Sequence, residues 1–393
     1  MLWETASLNA CGDKGDILKI AIDLTPVYDH LTGVERYNIC IVQGLIRLHP
    51  GDSFILVFKN EVHPEFLNII KLDNVKHLIL KACNKLFFMQ YRLMKEMNKI
   101  DADYYLFLSF TSPFFFRRKK AISAIFDLTC WDHPETMPAK MKYYYRLTYK
   151  ASVKHDYKII TCSGFSARRI CERYGLKEED VPVIYGGLPP VFLRKQDKEK
   201  GHICKKYGIP ADYILTLSTV EPRKNIQLLL LAYRELVTDG LSDLVLAGRK
   251  GWKLDDVLGG MDEETRKKIH FTGFVDDEDL PGLYANAALF VFPSKYEGFG
   301  FPIIEAMSQG TLVLSSDAAS LPEVVGTAGV LFKSEDKESL KSKLRYCLSM
   351  PAGEKEKMIA GGKMNAERFD WDNEAEKLYL IMKNGEDRHE FGR

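Results

Sequence analysis

The sequence predicts an α/β chain folded as two parallel-sheet domains, and three observations predict it. Short apolar runs alternate with amphipathic helical stretches almost throughout, the pattern of parallel strands covered by helices. The alternation breaks at Gly186, Gly187, Leu188, Pro189 and Pro190, continues as a charged stretch to Lys206, and then resumes. At 393 residues the chain is too long for one ordinary core and suits two of medium size.

In the first half, strands are expected at residues 18–24, 54–58, 77–80, 104–109, 121–127, 158–163 and 181–185. Between the first two, Val34, Tyr37, Ile41, Leu45 and Leu48 recur at helical spacing and predict a helix over 34–48. The second series has strands at 213–218, 244–247, 270–272, 288–292, 312–315 and 329–332, each followed by a helix. A final helix over Trp371–Lys383 is predicted by Ala375, Leu378, Tyr379, Ile381 and Met382. The expected organisation is a loose extension over 1–16, a first domain over 17–190, a linker over 191–209, a second domain over 210–370, and a terminal helix and tail over 371–393.

Composition excludes several classes. Hydrophobic residues make up 46%, enough for real interiors, and the net charge of +1 leaves no global field for nucleic acid. The 8 cysteines are scattered without C-x-x-C or zinc spacing, which fits reduced thiols in a cytosolic protein. Residues 1–16 lack a signal-peptide pattern, and no apolar run approaches ~18 residues, so no membrane span is expected. No G-x-G-x-x-G follows an early strand, which argues against a dinucleotide oxidoreductase.

The most informative segment runs from Glu297 to Glu305, two acids with seven residues between them, just after the apolar strand that ends near Phe292. Its glycines let backbone amides approach a ligand, Pro302 suits a helix start, and Gln309 with Gly310 suits its end. Amides at a helix start bind anions, and carboxylates accept hydroxyl hydrogen bonds. A ligand with phosphate on one side and polyols on the other, a nucleotide-sugar, fits that pattern. Spacing alone leaves open two acids that are solvated or cap backbone. Arg223 and Lys224 follow the first strand of the second half and precede a helix beginning near Asn225. Cations there oppose the helix dipole unless they serve a ligand, and a departing diphosphate needs fixed positive charge.

Taken together, the motifs resemble retaining glycosyltransferases of family 4, which have the GT-B fold. The resemblance is densest over residues 215–225, over Phe271, Thr272, Gly273, Phe274 and Val275, and over 292–307. It continues through Ser320, Leu321, Pro322, Glu323 and Val324 to Arg368, Phe369, Asp370 and Trp371. It implies two Rossmann-like domains facing across a cleft, with the last helix crossing back to the first. It also implies pyrophosphate on Arg223 and Lys224, nucleotide ribose on Glu305, and donor sugar on Glu297. Backbone amides around Phe299, Gly300 and Phe301 would hold the sugar or phosphate, with Gly273, Phe274 and Val275 flanking the base. Arg249 would reach the base or phosphate, or lie on the surface. Where some relatives carry another arginine this chain has Ser218, which leaves the second phosphate contact to Arg223.

In the first half, Gly33 opens a helix after a strand and would admit a donor phosphate or the acceptor, or form an ordinary turn. The run Ala124, Ile125, Phe126, Asp127, Leu128 is similar to the family's His-Asp-Leu segment, with Phe126 replacing the histidine. Asp127 is then an acceptor-side base or orienting group, or a strand-end cap. Two basic-aromatic stretches, 114–120 and 140–158, are candidate contacts with a lipid surface or anionic acceptor, or buried aromatics with a solvated cationic back. Asp-x-Asp patterns at Asp101, Asp277 and Asp370 suit helix starts and turns, so neither a metal nor any other cofactor is expected. The expected activity is retaining, metal-independent transfer of a hexose, mannose favoured, from a nucleoside diphosphate sugar (GDP-mannose favoured) to a saccharide or lipid-linked acceptor. The expected setting is bacterial surface polysaccharide assembly in the cytoplasm, at or near the inner membrane face. The alternatives are a non-catalytic nucleotide-sugar-binding module and a GT-B isomerase or phosphorylase.

Overall fold

The computed structural model describes residues 17–27, 32–81, 88–117, 120–194, 200–217, 221–248 and 258–385. Ser218, Arg249, the expected N-terminal extension and the last eight residues lie outside them. Two six-stranded sheets form, every pairing parallel. The first comprises β1 (Lys19–Asp23), β2 (Ser53–Lys59), β3 (Val75–Leu80), β4 (Tyr104–Phe107), β5 (Ala121–Ala124) and β6 (Lys158–Ile160), in the order β3-β2-β1-β4-β5-β6. The second comprises β7 (Tyr213–Leu217), β8 (Asp243–Ala247), β9 (Ile269–Gly273), β10 (Leu289–Phe292), β11 (Val313–Ser316) and β12 (Val330–Phe332), in the order β12-β11-β10-β7-β8-β9. Their interior strands are apolar runs buried along their length, as parallel strands covered on both faces must be.

One expected strand, 181–185, is reduced to a single bridge between Thr161 and Val183. Pro182 has no amide hydrogen to give a ladder, and the Tyr185 amide donates instead to Glu374 Oε2 at 2.8 Å. Within the stretch expected as linker lies a helix, Lys200–Tyr207, packed on the second sheet's elements. Ile203 is fully buried, Lys206 Nζ pairs with Asp276 at 2.7 Å, and the Tyr207 hydroxyl donates to Asp279 at 2.8 Å.

The C-terminal helix Trp371–Lys383 crosses back to the first sheet, as predicted. Asp370 caps it by accepting from the Asp372 and Asn373 amides at 3.1 and 2.9 Å. Ala375 packs so closely on helix Gly33–Leu48 that a Cβ at Gly44 would come within 2.8 Å of it. A single apolar cluster continues from one lobe into the other through Tyr37, Ile184, Leu188, Phe299 and Trp371. Both sheets reverse their strand order at one place, β1/β4 in the first and β7/β10 in the second. Open parallel sheets bind ligands beyond the strand C-termini at such a reversal, because the flanking connections diverge there and leave a crevice.

Candidate active site

The reversal in the second sheet joins residues far apart in sequence. Beyond β7, Pro222–Lys224 forms a 3-10 turn with Pro222 at its first position. Asn225 follows in the left-handed region, φ 54°, and precedes helix Ile226–Leu236. Beyond β10 the chain reaches Glu297. Lys224 Nζ lies 2.6 Å from Glu297 Oε1, and Arg223 Nη1 lies 3.2 Å from Oε2 and 3.0 Å from the Tyr296 carbonyl. The Lys295 amide donates to the Arg223 carbonyl at 2.8 Å and fastens the two connections together. The Glu297 side chain is only 10% exposed. Burial pushes its pKa up, but the charges of Lys224 and Arg223 and the Lys224 hydrogen bond outweigh that and hold it below the usual carboxylate range. Removing one partner of such a buried set leaves uncompensated charge, at a cost on the order of 3–5 kcal/mol.

Of this cluster Arg223 lines a cleft of about 910 Å³ between the lobes, while Lys224 and Glu297, paired with or beside it, are not among the lining residues. Glu221, Arg223, Asn225 and Lys295 line it from the second lobe; Phe126, Asp127, Ser109, Phe110, Tyr145 and Tyr149 line it from the first. Asp127 Oδ1 accepts from the Thr129 amide at 2.8 Å, so the residue caps local backbone and also faces the cleft. Phe126 stands edge-on to Tyr37 at 4.8 Å. His133 is paired with Glu135 at 3.2 Å and packs on Tyr296, and it is not among the residues lining the cleft.

The lobes are in contact around the cleft. A Cβ at Gly298 would come within 2.6 Å of the Phe126 carbonyl oxygen, so only glycine fits there without movement. The Tyr296 hydroxyl accepts from the Leu128 amide at 3.2 Å and donates to Asp132 at 2.9 Å. Glu323 crosses from the second lobe to the start of helix Gly164–Tyr174, accepting from the Gly164 and Phe165 amides at 2.8 and 3.1 Å. It also accepts from the Tyr185 hydroxyl at 2.7 Å. A carboxylate satisfying free amides at a helix N-terminus is favourable.

A family model for the glycosyl transferases group 1 matches residues 202–365. O-antigen chain mannosyltransferase B of Escherichia coli is 31% identical over 376 residues, covering 91% of this chain and 97% of that one. The chain belongs to the group 1 glycosyltransferases. A serotype-specific mannosyltransferase, WbdA of Escherichia coli, is 37% identical over 175 residues, 43% of this chain but 21% of WbdA. Among solved structures, HepE of Anabaena, in complex with UDP and glucose, superposes with a TM-score of 0.70 at 16% identity, covering 94% of this chain and all of HepE. That likeness establishes the GT-B fold.

The structure places this glycosyltransferase's other expected site residues outside the cleft lining. Glu305, on helix Phe301–Ser308, is buried, and its Oε2 accepts from the Tyr284 hydroxyl at 2.9 Å. Burial raises its pKa against the opposing charge of Arg36, a first-lobe side chain that pairs with Asp277 of the second. The room opened by Gly33 is taken by Phe301, whose ring would lie 3.0 Å from a Cβ there. Phe299 is buried against Tyr185 and Phe369, and Gly300 turns the chain at φ 114°. Gly273 ends β9 at φ 68°, with Val275 buried and the Phe274 side chain turned to solvent. None of the three is among the residues lining the cleft.

Sequence reasoning assigned no cleft role to Ser109, Phe110, Tyr149 or Asn225. Tyr145 and Tyr149 carried a usable signal, two aromatics one helical turn apart, but they fell within the 140–158 stretch, expected as a lipid or anionic-acceptor contact or as a buried aromatic face. Among the described residues no group of three or more His, Cys, Asp and Glu is placed to hold a metal ion. No described helix is long and apolar enough to cross a membrane.

Proposed function

We propose that this glycosyltransferase moves a mannosyl group from a nucleoside diphosphate mannose to a saccharide hydroxyl, with retention and without a metal, in the assembly of a bacterial surface polysaccharide. The observation that carries the reading is the buried Arg223–Glu297–Lys224 cluster at the strand-order reversal, whose Arg223 lines an interlobe cleft. The choice of mannose and of polysaccharide rests on the names of the two mannosyltransferases above, and guanine as the base is what the family resemblance implies.

In the proposed mechanism the donor's two phosphates take over Arg223 and Lys224, which releases Glu297 to accept hydrogen bonds from the sugar's hydroxyls. The bond from the anomeric carbon to the phosphate oxygen breaks as the acceptor oxygen bonds to that carbon on the same face. The acceptor's proton passes to the departing diphosphate, which leaves as a free nucleoside diphosphate. Fixed cations stabilise the charge that grows on the leaving group, worth about 2.7–4 kcal/mol for one comparable donor. Asp127 orients the acceptor hydroxyl from the opposite wall, since Phe126 carries no group that can move a proton. Glu305 and the Gly273–Val275 turn hold the nucleoside, the role that the family resemblance implies for them.

Peripheral contact with the inner membrane face is part of the proposal. Met141, Tyr143 and Leu147 are exposed on helix Ala139–His155 beside Lys140, Lys142 and Lys150, and Phe115 is 65% exposed nearby in the chain's other basic-aromatic stretch.

The test is incubation with GDP-mannose and a mannose disaccharide, with product mass and anomeric configuration read by mass spectrometry and NMR, in buffer with and without EDTA. An α-linked trisaccharide formed equally in both supports the reading. Sugar phosphate formed only with inorganic phosphate would indicate a phosphorylase instead. Saturable binding without turnover, which the Phe126 replacement makes the specific rival, would indicate a binding module.

A further inference from the structure

The two walls of the cleft differ in charge. Among its described first-lobe lining residues, every ionisable acid or base other than cysteine and tyrosine is a carboxylate: Glu35, Asp127 and Glu135. Glu135 is held below the usual carboxylate range by its backbone hydrogen bond, by His133 and by the charge of Lys295 on the second-lobe side, so it is charged at neutral pH. The nearest basic residue of helix Ala139–His155, Arg146, is turned away. Its Nε donates to the Cys130 carbonyl at 2.8 Å, and its guanidinium lies 4.0 Å from the centre of the Trp131 ring. On the second-lobe side the two lining cations are both engaged, Arg223 with Glu297 and Lys295 with Glu335 at 2.5 Å.

The same first-lobe wall is aromatic. The rings of Phe110 and Tyr145 lie near-parallel, 15° apart with centroids at 6.3 Å, and both border the cleft. Tyr149, one helical turn on, tilts against Tyr145 at 5.7 Å and borders the cleft too. A pyranose has an apolar face of C–H groups and an edge of hydroxyls. Aromatic rings cover the first, and carboxylates accept hydrogen bonds from the second. A phosphate or uronate at this wall would instead face three carboxylates and, among the described lining residues, only cations already paired with an acid, an arrangement that rejects a partner by repulsion.

We propose that the first-lobe half of the cleft is a saccharide subsite selective for a neutral acceptor end, a pyranose bearing neither phosphate nor carboxylate. The proposal rests on the cleft being the site of glycosyl transfer, and it deepens that reading by naming the class of acceptor it takes. Tyr145 is the specificity-determining platform, and Glu135 supplies part of the discrimination against charge.

The experiment compares mannobiose with mannobiose phosphorylated at the 6-hydroxyl of its terminal residue, as acceptors at saturating GDP-mannose. Wild type, Tyr145→Leu, Tyr145→Phe and Glu135→Gln are each measured at low and high salt. The donor-induced thermal shift is recorded for each variant, as a separate check on the donor site. Wild type is expected to favour the neutral acceptor by at least about tenfold in kcat/KM, a gap of 1.4 kcal/mol or more. The gap should narrow in Glu135→Gln and at high salt, where a surface repulsion is screened. Tyr145→Leu keeps an apolar side chain but loses the flat face, so acceptor KM should rise several-fold with the donor shift unchanged. Tyr145→Phe should stay near wild type. Equal use of the two acceptors, preference for the phosphorylated one, or an unchanged acceptor KM in Tyr145→Leu would overturn the proposal. Turnover of neither acceptor with a normal donor shift would also overturn it while leaving the donor site standing. Absence of any donor shift in wild type would overturn the underlying reading and this one with it.

Discussion

In the second lobe, Glu297 lies buried between Arg223 and Lys224; in the first, Asp23 is just as buried at the end of β1, with no ion pair among the described residues. Asp23 accepts from the Thr25 amide at 3.0 Å and from the Thr25 side chain, and burial pushes its pKa up to about 6 despite those bonds. Burial acts on both carboxylates in the same direction, and the two cations reverse the outcome for Glu297. The contrast extends to the whole site. The second lobe supplies fixed, compensated charge suited to gripping a diphosphate. The first supplies aromatic faces and acceptors suited to an uncharged polyol. The donor side therefore depends on a few strong contacts, and the acceptor side on many weak ones.

The sharpest way to break that contrast is to remove the charge. Lys224→Met or Glu297→Gln should lower turnover by roughly 10²–10³, the loss seen for comparable oxyanion donors. Near-normal rates in both, with native circular dichroism, would show that the cluster is structural only. A smaller loss is expected from separating the two sides without altering either. In Gly298→Ala the new methyl would sit 2.6 Å from the Phe126 carbonyl oxygen, so the lobes must part. We expect a fall in kcat/KM of about tenfold or more, since misplacement by about 1 Å costs up to ~10²-fold, together with a larger radius in small-angle scattering. An unchanged radius and rate would mean that the lobes need not touch there.

On the acceptor side alone, Asp127→Asn should reduce acceptor kcat/KM by roughly tenfold, at or below the low end for positioned proton-handling groups. Donor binding by calorimetry should not change. A loss of donor affinity instead would move Asp127 to the donor side.

An effect outside turnover concerns stability and pH. Asp23 binds its proton more tightly in the folded chain than in the unfolded one, where its pKa is near 3.8. Its contribution is therefore fully present below about pH 3.8 and is lost as pH rises to about 6. Asp23→Asn should remove that loss, so the variant gains on wild type by about 3 kcal/mol between those limits in denaturant titrations. Glu297 runs the other way. Its lowered pKa gives stability present above the ordinary carboxylate range and lost as pH falls through the folded value. Parallel pH profiles for Asp23→Asn and Glu297→Gln, relative to wild type, would contradict the contrast.

The charged cluster at the β7/β10 reversal was legible because its residues sit in short segments just beyond apolar strands. Arg223, Lys224 and Glu297 are 73 or 74 residues apart in pairs, yet the strand rule places both segments at one sheet edge. The terminal helix is legible for a local reason, Asp370 capping an apolar-periodic run that closes at Lys383. Tertiary partners decided the rest. Strand 181–185 fails because Glu374, far along the chain, takes the Tyr185 amide. Gly33 reads as room for a ligand until Phe301 is seen to fill it. In the 114–120 stretch Phe116 is core and Phe115 is exposed, a division that composition does not reveal. The aromatic wall joins the exit of β4 to a helix more than thirty residues on, and no local pattern announces such a pairing.

The most direct test of the central claim is a crystal structure of the glycosyltransferase with GDP-mannose bound. It should place the diphosphate oxygens within about 3 Å of Lys224 Nζ and the Arg223 guanidinium, with Glu297 released from the lysine and turned to the mannose hydroxyls. A nucleotide seated elsewhere, or a Lys224–Glu297 pair still closed at 2.6 Å with the donor in the cleft, would contradict the account.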